Sequence, residues 1–183
     1  MRTLLWLPVL ALVMACSKAD STSPTAVDTD WARFRGPGGL GISKAKNLPV
    51  RWSDTENLVW KTELPGPGTS SPVLHGDRLY LTCHTGYGLG ESSPGSMDDL
   101  ERHVLCVDRS TGKIVWSREV ESKLPETEFG RRIISHGYAS STPAVDAERV
   151  YCFFGRSGVV ALDHGGKQLW HADVGDQIHG WGS

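Results

Sequence analysis

The chain has no excess of positive charge: 19 Lys and Arg stand against 21 Asp and Glu, a formal net charge of −2. A nucleic-acid binder needs a basic face for the phosphates, so no nucleic-acid partner is expected. Cysteines number only four, and no two stand in a CxxC spacing. Seven histidines occur without an HxH or HExxH pattern, so the zinc spacings that give a metal site away are missing. No Walker lysine follows a glycine loop, and no block of like charge stands out. No nucleophile–base–orienter set and no carboxylate pair of defined geometry emerges either. Apolar runs are short: the longest, residues 4–14, is too brief for a bilayer, which takes about 20 residues.

That short run has another use. Arg2 precedes it and Val13-Met14-Ala15-Cys16 follows it, an arrangement of signal-peptide type. Residues 1–16 read as a lipoprotein signal peptide with Cys16 as the lipidation site, similar to the lipobox of bacterial lipoproteins. A plain secretory signal with a coincidental Cys is the alternative. Residues 17–30, SKADSTSPTAVDTD, are small, polar and aromatic-free, and read as a flexible tether. Export to the bacterial outer membrane, anchored by lipid on the periplasmic face, is the expected location.

What the sequence has in quantity is tryptophan, glycine and repetition. Trp60, Trp116 and Trp170 close similar segments 56 and 54 residues apart. Ser71-Pro72-Val73 corresponds to Thr142-Pro143-Ala144, and Arg78-Leu79-Tyr80 to Arg149-Val150-Tyr151. Gly112-Lys113-Ile114-Val115-Trp116 corresponds to Gly166-Lys167-Gln168-Leu169-Trp170. A unit of 40–55 residues containing four short strands is the signature of a β-propeller blade. The fold class is therefore all-β, a propeller of four-stranded antiparallel blades. Within 31–183 the divisions are a lead-in over 31–56, a clasp strand over 57–64, blades over 68–120 and 139–174, and the opening of a further blade at 179–183. Strands are expected at 71–74, 78–82, 104–107 and 113–120, then at 141–145, 149–154, 159–163 and 167–174. Only about two blades are present, and propellers carry about four to eight, so an N-terminal part of a larger ring is expected.

Asp108, Thr111, Gly112, Lys113 and Trp116 resemble the tryptophan-docking motif of the pyrroloquinoline quinone (PQQ) repeat. Asp163, Gly166, Lys167 and Trp170 match a version without the Thr, and the stretch around Trp60 resembles the outer strand alone. The Trp31-x-x-Phe34-Arg35-Gly36-Pro37 opening is similar to that of planctomycete-type PQQ-like repeat proteins. The resemblance spans roughly residues 31–183 and implies a packing role for these residues, each Trp wedging neighbouring blades. It also implies a non-catalytic scaffold for protein–protein interaction in the cell envelope, since the best-known relative is the propeller lipoprotein of the outer-membrane β-barrel assembly machinery. Its alternative is a quinoprotein dehydrogenase holding PQQ with calcium through residues beyond this chain. No cofactor and no metal is expected here, and the adjacent Cys pair common in those enzymes does not occur.

Individual function is expected where the repeat is broken. Residues 86–101, GYGLGESSPGSMDDLE, interrupt the first blade and offer Asp98, Asp99 and Glu101 to a cation or a basic partner; a solvated loop is the plainer expectation. Residues 124–132 form an inter-blade excursion ending in Arg131 and Arg132, which can hold an anion. His136 and His179 recur at equivalent repeat positions, which permits a ligand role in a central channel but is first explained by repetition. Cys83, Cys106 and Cys152 read as small buried hydrophobes; a Cys83–Cys106 bridge is the lesser alternative.

Overall fold

The structure, a computed structural model, describes residues 30–130 and 133–177. The expected signal segment with Cys16, nearly all of the tether, Arg131, Arg132 and the 179–183 opening lie outside the described residues. Two four-stranded antiparallel sheets are present. The first runs in the order β1 (Val73–His75), β2 (Arg78–Thr85), β3 (Glu101–Asp108), β4 (Ile114–Val120). The second runs β5 (Ala144–Val145), β6 (Arg149–Phe153), β7 (Val159–Asp163), β8 (Gln168–Ala172). Each is a meander in which sequential strands pair, as a blade requires. A single-turn helix, α1 (Ile133–His136), lies between them.

Strand centres fall where the apolar pattern puts them, while the ends differ. β2 is three residues longer than expected and β3 four, because Cys83↔His103, His84↔Arg102 and Thr85↔Glu101 continue the ladder and β3 also takes in Asp108. His84 and Arg102 are fully buried, so their rung lies inside the molecule, while Glu101 at the end is exposed. Polar residue types concealed that extension. In β3, Val104, Leu105, Cys106 and Val107 are all buried, since a central strand is covered on both faces.

Alternation assigns the faces. Val73, Tyr80, Val104 and Cys106 of the first sheet join Val145, Val150, Cys152, Val160 and Leu162 of the second in one core. The blades therefore pack face to face. Cys83, Cys106 and Cys152 are buried free thiols, and Cys83 and Cys106 oppose His103 and Tyr80 across the ladder rather than each other. Burial pushes the Cys106 and Cys152 thiols up to about 11 and about 12, which leaves them protonated fillers and poor nucleophiles.

The lead-in closes an edge. Trp31 exchanges two 3.0 Å backbone hydrogen bonds with Leu74 of β1, and Val145 of β5 donates to the Ala32 carbonyl at 2.8 Å. One short segment thus satisfies the innermost strands of both blades. No strand forms over 57–64. The segment is extended and held by side chains: Trp60 Nε1 donates to the Arg109 carbonyl at 2.8 Å, and Thr62 Oγ1 to the Gly112 carbonyl at 2.5 Å.

Those bonds recur one unit later. Trp116 Nε1 donates to the His164 carbonyl at 2.9 Å, and Arg118 Nε to the Gly166 carbonyl at 2.7 Å. Each Trp therefore meets the Asp-to-Gly turn of the following unit, not the turn that precedes it in its own strand. Glycine is required at the seat for two reasons. Gly112 and Gly166 have φ of +71° and +82°, and a Cβ there would come within 2.5 Å of the Trp60 ring and 2.7 Å of the Trp116 ring. The Asp holds the seat open: Asp108 Oδ1 accepts from the backbone and hydroxyls of Ser110 and Thr111 at 2.7–3.1 Å. Those bonds, led by the Ser110 and Thr111 hydroxyls, hold its carboxyl well below the usual range. Asp163 Oδ1 does the same more sparely, accepting from Lys167 N at 2.8 Å. Trp170 repeats the Trp116 geometry toward Tyr151, at 6.0 Å and 46° against 5.9 Å and 44° toward Tyr80. Trp170 is 41% exposed.

Emptying the Trp116 seat removes a wedge between blades. Trp116→Ala should cost about 3 kcal/mol, and Gly166→Ala about 1–3 kcal/mol through strain and collision with the ring. Thermal unfolding of both variants checks this, and wild-type stability in either would contradict the docking geometry.

Candidate interaction surface

The two breaks in the repeat meet in space. The β2–β3 insert supplies Tyr87, Met97 and Leu100, and the segment between the blades supplies Leu124, Phe129, Ile133 and Tyr138. Together they form a second apolar cluster, separate from the core between the sheets. Tyr87, Phe129 and Tyr138 stack mutually with ring centroids 5.5–6.5 Å apart. Phe129 N donates to Tyr87 Oη at 3.0 Å, and Tyr138 Oη to the Thr127 carbonyl at 2.8 Å. Gly88, φ +73°, is needed where both the Phe129 and Tyr138 rings approach the backbone. The insert over 86–101 is exposed along most of its length, Asp98, Asp99 and Glu101 included, while Tyr87 and Leu100 near its ends are buried in a core of their own. Tyr87 and Leu100, apolar positions inside an otherwise polar stretch, were the available signal.

Beneath this cluster lies Arg102, fully buried. Its Nη2 donates to Glu126 Oε1 at 2.5 Å, its Nη1 to the Ser122 and Ser157 hydroxyls at 3.0 and 2.9 Å, and its Nε to the Tyr138 carbonyl at 3.0 Å. The guanidinium also lies 6.0 Å from the Phe154 ring centre, within cation–π range. One side chain of the first sheet thus grips the excursion at three points and the second blade at two. Sequence reading passed over both Arg102 and Glu126. The only signal was an Arg in register with buried neighbours, as Arg102 precedes Val104 and Cys106 on one face.

Above the cluster the chain presents acid. Asp98 and Asp99 sit in a single-turn 3₁₀ segment, Met97–Asp99, whose Ser96 hydroxyl accepts from Asp98 N at 3.4 Å. With Glu101, Glu119 and Glu121 they line an open cleft of 710 Å³ that reaches His171 of β8. All five carboxylates are exposed. Expected Asp98, Asp99 and Glu101 are thus brought together, and Glu119 and Glu121 join from β4 and its end, which the sequence reading did not single out. His136 ends α1, half-buried, with its carbonyl accepting from Thr69 Oγ1 at 2.8 Å. It does not line the cleft.

Among the described residues no three His, Cys, Asp or Glu side chains are grouped so as to hold a metal ion. No described helix is long and apolar enough to cross a membrane.

A family model described as outer membrane protein assembly factor BamB, built on the PQQ repeat, matches residues 43–180, about three quarters of the chain. The chain belongs to this family. The two meander sheets and the recurring tryptophan seats agree with its repeat. No significant match was found among curated proteins.

The buried ion pair is a strong local test. Arg102→Met leaves the Glu126 carboxylate unpaired and should destabilise the fold by about 3–5 kcal/mol. Arg102→Met with Glu126→Met should recover most of that loss, since the double change leaves no stranded charge. Denaturant unfolding of the two single variants and the pair checks the coupling; additive losses would contradict it.

Proposed function

We propose that this chain is a non-catalytic interaction scaffold of the bacterial envelope, held to the outer membrane on its periplasmic face by a lipid on Cys16. It binds an envelope protein through the acidic cleft. The observation that supports this reading most is the fusion of the two non-repeated segments into one packed body beside an open cleft lined by five carboxylates, from the insert, β3 and β4 with its end. A rigid surface loses little freedom on binding, and like charges in a cleft favour a partner segment rich in Lys and Arg. Membership of a family described as an outer-membrane assembly factor supports a partner among envelope proteins. No quinone or metal is part of the proposal.

Two experiments test it. The full chain should bind the periplasmic domains of the host's outer-membrane protein assembly machinery, and Asp98→Lys with Asp99→Lys and Glu101→Lys should weaken Kd at least tenfold with an unchanged melting temperature. Raising the salt should weaken the wild type in the same direction. An unchanged Kd in the charge-reversed protein would sink the cleft reading. For the anchor, intact mass of the protein from the envelope should show a diacylglyceryl Cys16 as the first residue, and Cys16→Ser should release the chain in soluble form. A soluble, unacylated wild type would refute the anchor and leave a plain export signal.

A further inference from the structure

His84 has no part in the acidic cleft, yet it stands at the joint that holds the platform to the first blade. Its ring is 1% exposed. It packs edge-on against Tyr138, with centroids 5.4 Å apart at 85°. Gly137, φ +64°, gives it room, since a Cβ there would come within 2.5 Å of the imidazole. Tyr138 N donates to Nδ1 at 3.4 Å. Nδ1 is therefore the unprotonated nitrogen, and the ring is neutral with its proton on Nε2. Among the described residues Nε2 has no hydrogen-bond partner.

A second proton has only Nδ1 to occupy. There it meets the Tyr138 N–H, donor against donor, and the hydrogen bond to the excursion is lost. The new cation is also dry. Its cross-strand neighbour is Arg102, already a buried cation, and His103 follows on the same strand. Glu126 is committed to the Arg102 guanidinium. Among the described residues the ring's aromatic partner is Tyr138, and the 66–68 segment behind β2 carries no titratable side chain. Among the described residues no free carboxylate adjoins it; burial outweighs the backbone groups of Gly88 and Pro67, which favour the charged ring.

We propose that His84 is a proton-operated latch, neutral when the inter-blade segments 121–130 and 133–138 are docked on the first blade and protonated when they are released. This goes beyond the scaffold reading and does not depend on which partner the cleft binds. Burial, then the field of Arg102, lower the His84 pKa in the folded chain, which agrees with the geometry. The sign follows. The docked state binds the proton more weakly than the open state, whose imidazole titrates near ~6.5. Docking is therefore fully favoured above about pH 6.5 and loses about tenfold per pH unit as acid is added, until the depressed native value is reached.

Hydrogen exchange of the full chain at pH 7.5 and pH 5.0, corrected for intrinsic rates, reads this directly. Peptides from 121–130 and 133–138 should lose protection at pH 5.0 relative to pH 7.5 while β6 and β7 keep theirs. His84→Gln, neutral at both values and still able to accept from Tyr138 N, should remove the difference. Equal loss across both sheets, or a pH response that survives in His84→Gln, would overturn the latch. Should the variant fail to fold, the wild-type imidazole is followed by nitrogen-15 NMR: titration below the ordinary value supports the proposal, and titration at or above it overturns the proposal.

Discussion

An indole against a glycine turn is the contact on which the two-blade arrangement depends. The Trp ring needs a flat seat without a Cβ, and a left-handed glycine supplies one while also reversing the chain between the third and fourth strands. The seat is polar at its rim: the carbonyl after the Asp accepts the indole N–H, and the glycine carbonyl accepts from a side chain two residues beyond the Trp. Burial of a large apolar surface and satisfaction of its one polar group thus coincide. Since the same contact occurs at Trp60 and at Trp116, the relation between successive units is set locally each time.

A different kind of constraint acts at Arg102. Buried ion pairs seldom add net stability over well-packed apolar side chains, so the pair is better understood by its directions than by its strength. The guanidinium fork fixes donor angles, and three of its four donated bonds hold the segment between the blades while the fourth holds Ser157 of the second blade. The aromatic cluster above can then pack in one register. Pair and cluster rely on each other: the cluster excludes water from the charges, and the charges locate the chain that builds the cluster.

Legibility divided along the same line. Trp116 and Trp170 with their turns, and Trp60 without one, were readable because repetition exposes them, and strand centres followed because apolar alternation is local. The partner of each Trp was not readable. Spacing tells that Trp116 and Gly112 belong together in sequence, but only the packing tells that Trp116 meets Gly166. Arg102, Glu126 and the burial of His84 were invisible for a related reason. They occur once, their residue types belong on surfaces, and their burial depends on segments 20 to 55 residues away that meet only in the fold.

The non-repeated part is also where a function has room. Repeated faces are consumed by packing on one another: the first blade's inner face is spent on the second, and the glycine seats on the tryptophans. The insert and the excursion satisfy themselves through their own cluster, so their outer side stays available to a partner. A surface held on two cores is ordered before any partner arrives, and binding then costs little further loss of freedom. That same dependence ties the platform to two buried polar groups, the neutral His84 imidazole and the Arg102 guanidinium, alongside the apolar cluster. A joint that includes a buried imidazole responds to a single proton, whereas one made of apolar contacts alone responds to acid only weakly.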